Sequence, residues 1–125
     1  MIAYRLFAAA LIVLPASLAA QAAPNPTLGK LQFSQCGVCH TVTKDGKDGV
    51  GPNLWGVVGS KAATRRTKFA YSQPLKASKL TWDAATLDRW IAAPGEVVKG
   101  TKMEFIGIGR KQTRDNIIAY LAMLK

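Results

Sequence analysis

Histidine occurs once in this 125-residue chain, cysteine twice and methionine three times, and only 7 Asp and Glu stand against 17 Lys and Arg. The two cysteines, Cys36 and Cys39, are separated by Gly37 and Val38 alone. Both belong to one local motif, so no structural disulfide remains to compensate for small size. Beyond the N-terminal segment no apolar stretch approaches the length of a bilayer span, which excludes a membrane domain in the body of the chain. There is no internal repeat and no domain boundary. The scarcity of acid leaves a formal charge of +10.

The scarce residues are concentrated. Cys36-Gly37-Val38-Cys39-His40 is the attachment signature of a c-type haem, with two thiols to form thioethers to the vinyl groups and an imidazole next to them to bind iron. A redox-active disulfide is the competing reading of the same two sulfurs, and it leaves the chain's only histidine without a role.

The N-terminus supports covalent haem independently. Arg5 precedes the apolar run Leu6 to Leu14, followed by Pro15, Ser17 and the small-residue stretch ending Ala20-Gln21-Ala22. This pattern predicts a secretory signal peptide over residues 1–22, cleaved after Ala22, with the periplasm as destination; a retained anchor is the alternative, and the run is short for it. Residues 23–125 then form one small domain whose core depends on the cofactor. Only Arg5 among the basic residues is lost with the leader, so a charge of +9 remains before the haem carboxylates are counted. An exported haem protein does not meet nucleic acid, and the basic residues lack interleaved aromatics. Transient docking to acidic protein surfaces fits the charge better.

The periodicity predicts an all-α chain interrupted by loops. Asn25-Pro26 starts a first helix containing Leu28, Leu31 and Phe33, which ends at the haem motif. Thr43 to Gly59 is punctuated by Gly46, Gly49, Gly51, Pro52, Gly56 and Gly59 and reads as loop. A short helix is predicted over Gln73 to Ala77. Thr81 is expected to cap a clearer one, with Asp83 in its first turn and Leu87, Trp90 and Ile91 on one face, stopped by Pro94. Gly95 to Gly109 reads as loop, and Thr113 opens a last helix carrying Ile117, Ile118, Tyr120, Leu121 and Leu124.

An iron held by His40 has a second axial position. With no other histidine, a pair of imidazoles is excluded for the isolated chain. Met1 leaves with the leader and Met123 falls among predicted core positions, so Met103, in the glycine-bounded segment Lys99 to Met103, is the candidate. The alternative is that Met103 fills the core, with the iron five-coordinate or bound by a lysine.

Several further motifs follow in order: Gly51-Pro52-Asn53-Leu54, Tyr71 with Trp82 eleven residues on, Gly100-Thr101-Lys102-Met103-Glu104-Phe105, and Ile118-Ala119-Tyr120-Leu121. On these the sequence resembles class I cytochrome c across residues 27–125. The resemblance implies helices and glycine-rich loops wrapped around one covalent haem c, with the first and last helices crossing through Gly29 and Phe33 against Tyr120 and Ile117. It implies that Pro52 offers its carbonyl to His40, that Tyr71, Ser72 and Trp82 direct hydrogens at a haem propionate, and that Trp90 and Phe105 lie near the iron-bound sulfur of Met103. It also implies a diffusible one-electron carrier, not an enzyme, and a monomer. Its partners would be redox proteins such as quinol-cytochrome c reductase, terminal oxidases or periplasmic dehydrogenases.

Departures from the family pattern matter. Trp90 stands where a tyrosine is usual, Leu75 where an asparagine is, and Ser60 where the family often has a propionate-facing arginine. The loop between Gly59 and Tyr71 is one residue longer than in mitochondrial forms, and Arg65 or Arg66 is the candidate to reach back. Gln35, Gly49, Gly95 and Glu96 replace lysines of the mitochondrial docking rim, while Lys47 and Lys102 are kept, which moves the expected basic surface to Lys61–Lys68 and Lys76–Lys79. Two other readings stand beside the free carrier. One is the haem subunit of a dedicated periplasmic dehydrogenase, which exposed apolar surface near Trp55 and Val57 would favour. The other is a gas-binding sensor or weak peroxidase, which requires Met103 to leave the iron.

Overall fold

The computed structural model describes residues 12–125. Most of the leader's apolar run, with its Arg5, lies outside the described residues, and residues 12–25 carry no regular structure and are exposed. Five helices follow: α1 (Pro26–Gln32), extended by a 3-10 turn over Phe33–Gln35, α2 (Gln73–Ser78), α3 (Ala84–Ala92), α4 (Pro94–Val97) and α5 (Lys111–Ala122). Among the described residues the extended pairing is limited to one bridge, Lys61 to Thr81, so the fold is the all-α arrangement the sequence predicts. No helix of the described residues is long and apolar enough to cross a membrane.

α1 starts as expected. Asn25 accepts a hydrogen bond from the Leu28 N–H at 3.0 Å, and Pro26 occupies the first helical position, where a missing N–H costs nothing. α3 corrects the prediction by two residues. Asp83, not Thr81, is the cap, its Oδ1 accepting from the Thr86 N–H at 2.7 Å. Thr81 is used elsewhere, in the bridge to Lys61, where the Ala62 N–H meets the Leu80 carbonyl and the Gly59 N–H meets that of Trp82, both at 2.8 Å. These bonds fix the long loop against the residue that opens α3.

Pro94 does end α3, but it also opens the single turn α4, so the segment from Gly95 is not all loop. Ala93 is extended at φ −163°, as a residue before proline prefers, and Pro94 sits at N1 of α4, fully buried. α5 begins at Lys111, two residues before the expected Thr113, without a side-chain cap. Met123 ends up at its C-terminal cap with 64% of its surface exposed, so it is not a core residue. Still in helical backbone and two positions beyond the buried Leu121, it lies on the opposite side of the helix from the core.

α1 and α5 cross at Gly29. A Cβ there would collide with the backbone carbonyl of Asn116, so only hydrogen allows this approach. Phe33 packs edge-on to Tyr120 at 5.7 Å, and the fully buried Ile117 lies beneath. Asn116 ties the crossing by polar contacts, accepting from the Asn25 N–H at 2.8 Å and donating to Gln32 at 3.1 Å. Arg114 is buried as well. Its Nε reaches Asp88 on α3 at 2.8 Å, and its Nη1 donates to the carbonyls of Ile108 and Gly109, both at 2.8 Å.

Candidate haem-binding site

The core is hollow. Phe33, Val57, Trp82, Leu87, Trp90, Ile91, Ile117 and Leu121, all core residues, line a cavity of about 540 Å³, a size suited to a cofactor. One helical turn presents the attachment residues to it: the Cys36 N–H bonds to the Phe33 carbonyl at 2.8 Å, and those of Cys39 and His40 return to Cys36 at 3.0 and 2.9 Å. Burial, and then the neighbouring Cys39, push the Cys36 thiol up to about 11. A thiol held protonated at neutral pH is a poor thiolate nucleophile, so Cys36 is not poised for disulfide exchange.

His40 is held by a loop that folds back onto the motif. The Gly51 N–H donates to the Cys39 carbonyl at 2.9 Å, and Leu54 does the same to Thr41. His40 Nδ1 lies 2.7 Å from the Pro52 carbonyl; because a carbonyl can only accept, Nδ1 carries the proton and Nε2 is the lone-pair nitrogen of a ring lining the cavity. Burial lowers the imidazole's affinity for a second proton, outweighing the Pro52 bond, so the ring is neutral when a metal needs it neutral. Gly51 was legible as part of a motif but not as a determinant of the ring. A Cβ there would lie 2.7 Å from Nδ1 and 2.8 Å from Nε2, in contact with the face of the imidazole.

Asn53 closes this loop from inside. Nearly fully buried, it donates to Thr41 Oγ1 at 2.8 Å and to the Thr43 carbonyl at 3.0 Å, and accepts from the Trp55 N–H at 2.9 Å. Its own N–H donates to Asp48 Oδ1 at 2.7 Å, which also receives Arg66 Nε at 2.7 Å.

Met103 lines the same cavity as His40, with Phe105 beside it. The chain is set there by Thr101, whose hydroxyl accepts from the Met103 N–H at 3.2 Å, and by Gly107. Gly107 has φ +100°, and a Cβ would strike the Ala92 carbonyl at the end of α3. Trp82 and Trp90 pack at 5.0 Å on the far wall. Tyr71 and the buried Ser72 line the cavity too; Ser72 Oγ accepts from the Leu75 N–H at 3.3 Å as the cap of α2, which leaves its hydrogen to donate. Burial raises the Tyr71 phenol above its usual value. All ten residues singled out from the sequence therefore meet at one cavity.

Two related expectations change. Of the two arginines, Arg65 lines the cavity, while Arg66 is committed to Asp48 and to the Gly46 carbonyl at 3.1 Å. Val57 is core and Trp55 half-buried, so the exposed apolar surface that would favour a dedicated enzyme subunit is not found there. It is found instead at Val38, Val50 and Ile106, with 81, 82 and 97% exposure, next to the cavity-lining Cys39, Gly51 and Phe105.

No protein-family model matches the chain. The chain is 49% identical over 106 residues to cytochrome c2 of Rhodomicrobium vannielii, spanning 85% of this chain and 84% of that protein. It is 46% identical to cytochrome c2 of Rhodoblastus acidophilus over 82% of this chain and 95% of that one. The chain belongs to the class I c-type cytochromes. Cytochrome cH from Methylobacterium extorquens has the same fold at a TM-score of 0.75 and 45% identity, covering 79% of this chain and 98% of the other. This cytochrome accordingly carries covalent haem c, for which Cys36 and Cys39 have the required spacing, and it is a small electron carrier. The cavity fits that group: apolar walls, both cysteines and the lone imidazole on its lining, and a buried arginine nitrogen, Arg65 Nη1, with no protein partner.

Proposed function

We propose that the protein is exported, cleaved after Ala22, and acts in the periplasm as a monomeric one-electron shuttle, with His40 and Met103 as the axial iron ligands. When bound, the haem iron supplies the one-electron couple; a histidine–methionine pair favours its reduced state. The observation that carries the reading is the neutral His40 ring, fixed by Pro52 at 2.7 Å, sharing its cavity with the thioether of Met103. With His40 and Met103 both bound to it, the iron would offer no coordination site to a substrate, so the reading is of a carrier and not an enzyme.

The same polypeptide supports brief docking. Lys61 meets Lys76 and Lys79, from a later helical segment, at one shallow surface cleft with Thr64, and no acidic side chain lines it. This surface, with Lys47 and Lys102 near the haem motif and Met103, orients the protein toward acidic faces of redox partners such as quinol-cytochrome c reductase, terminal oxidases or periplasmic dehydrogenases.

Spectra of the purified holoprotein in both oxidation states, with and without carbon monoxide at neutral pH, test the ligand pair. The expected result is a ferric sulfur-to-iron charge-transfer band in the near infrared, no carbon monoxide binding, and loss of the band in Met103→Ala with binding gained. Rapid carbon monoxide binding by the unaltered protein would overturn the carrier reading and favour a gas sensor or weak peroxidase.

A further inference from the structure

Among the described residues, the buried side-chain nitrogen or oxygen left without a hydrogen-bond partner is Nη1 of Arg65. A guanidinium nitrogen shut away from water and unpaired is costly, and such groups are retained where an anion completes them. Arg65 lines the haem cavity. Its position is built by the backbone: Ala63 adopts a left-handed φ of +59°, and the guanidinium lies over Gly56, where a Cβ would be 3.2 Å from Nη2. Gly56 has φ +69°, so its lack of a side chain serves both its own conformation and the space above it.

The other candidates for this role are occupied. Arg66 is bound to Asp48 and Gly46, and Ser60 spends its hydroxyl on the Val57 carbonyl at 2.6 Å. Asp48 is held by Arg66 and the Asn53 N–H, so it does not serve as Arg65's counter-ion. Of the other ionisable residues lining the cavity, Tyr71, Lys61, Lys102, His40, Cys36 and Cys39 carry no carboxylate, and Glu104, which does, is exposed in the Met103 segment. Among the described residues no carboxylate forms an ion pair with Arg65.

We infer that Arg65 binds a haem propionate through Nη1, so that the lengthened loop delivers from residue 65 the cation that the family often supplies at the position of Ser60. The bond is a charge-assisted one between guanidinium and carboxylate, and it holds the carboxylate ionised inside the protein. The inference rests on haem occupying this cavity, which mass and visible spectra of the covalent adduct establish separately.

The test is a titration of haem labelled with carbon-13 at its carboxyl groups, together with the reduction potential of holoprotein, between about pH 5 and pH 8, a range well above the ordinary carboxylate pKa. In the unaltered protein at least one propionate stays ionised across the range. In Arg65→Gln that carboxyl titrates within it, and the potential falls as pH rises, because the anion formed stabilises ferric over ferrous iron. Arg65→Lys, which keeps charge but loses the fork, shifts the titration less, and Arg66→Gln behaves like the unaltered protein. The inference is overturned if both propionates already titrate in the unaltered protein, if Arg65→Gln titrates as it does, or if Arg66→Gln reproduces the Arg65→Gln profile. The first of these outcomes needs no variant to fold.

Discussion

At Asp48 a single carboxylate joins two parts of the haem-wrapping loop, accepting from the Asn53 N–H and from Arg66 Nε, each at 2.7 Å. Partial burial would raise its pKa, but these two donors and the Arg66 charge outweigh that and hold it below the usual value. A carboxylate whose folded pKa lies below its unfolded one stabilises the protein above the unfolded value of about 3.9, and the contribution fades as pH falls through the folded value. Asp48→Asn is therefore expected to cost about 1 kcal/mol at pH 7, and the difference from the unaltered holoprotein should shrink towards pH 3. Thermal melts across that range measure it; a difference that does not change with pH would show that the charge is irrelevant. Gly51 acts at the same scale by contact alone, since any side chain would push against the His40 ring.

Between elements, the decisive contact is the crossing of α1 and α5. Gly29→Ala places a methyl group against the Asn116 carbonyl, and the helices must separate or shift, at a cost of about 1–3 kcal/mol. At roughly 4–8 °C per kcal/mol for a domain of this size, the holoprotein's Tm should fall by at least about 4 °C. An unchanged Tm would mean that the helices do not approach this closely. The sequence exposed Gly29 as a glycine in a helix, where it is a poor helix former and so needs a reason. It did not expose Asn116 or Arg114, because a polar residue on a helix reads as solvent-facing until the neighbour that satisfies it is known. Arg114 is an α5 residue bound to α3 and to the Ile108–Gly109 backbone, contacts that span 26, 6 and 5 positions.

For the whole molecule, the hydrophobic core and the cofactor cavity are one feature. Eight core residues face the space in which haem belongs, including Trp82, Trp90 and Ile117, so without haem their apolar surface is opened to water or collapses. The full chain with Cys36→Ser and Cys39→Ser, unable to attach haem, is expected to show reduced helical circular dichroism and no cooperative melt, where the holoprotein melts cooperatively. A cooperative transition in the haem-free variant would show that the polypeptide packs unaided. The basic surface is likewise a property of the whole, because Lys61 joins Lys76 and Lys79 only when the 59–62 segment pairs with residues 80–82.

The sequence by itself determined the haem motif, the cap at Asn25, the apolar faces of α3 and α5 and the ten cavity residues. These depend on local spacing, or on motifs that survive as ordered strings. It placed the start of α3 at Thr81 because Thr81 and Asp83 are both good caps, and only the pairing of Thr81 with Lys61 removes the first from contention. It set Met103 apart as a ligand candidate and placed Met123 among core positions; the tertiary structure brings Met103 to the cavity but turns Met123 to solvent. The same holds for Arg65 and Arg66, adjacent and chemically identical. Backbone direction, Gly56 beneath one and Asp48 beside the other, decided which lines the cavity, and no one-dimensional pattern carries that information.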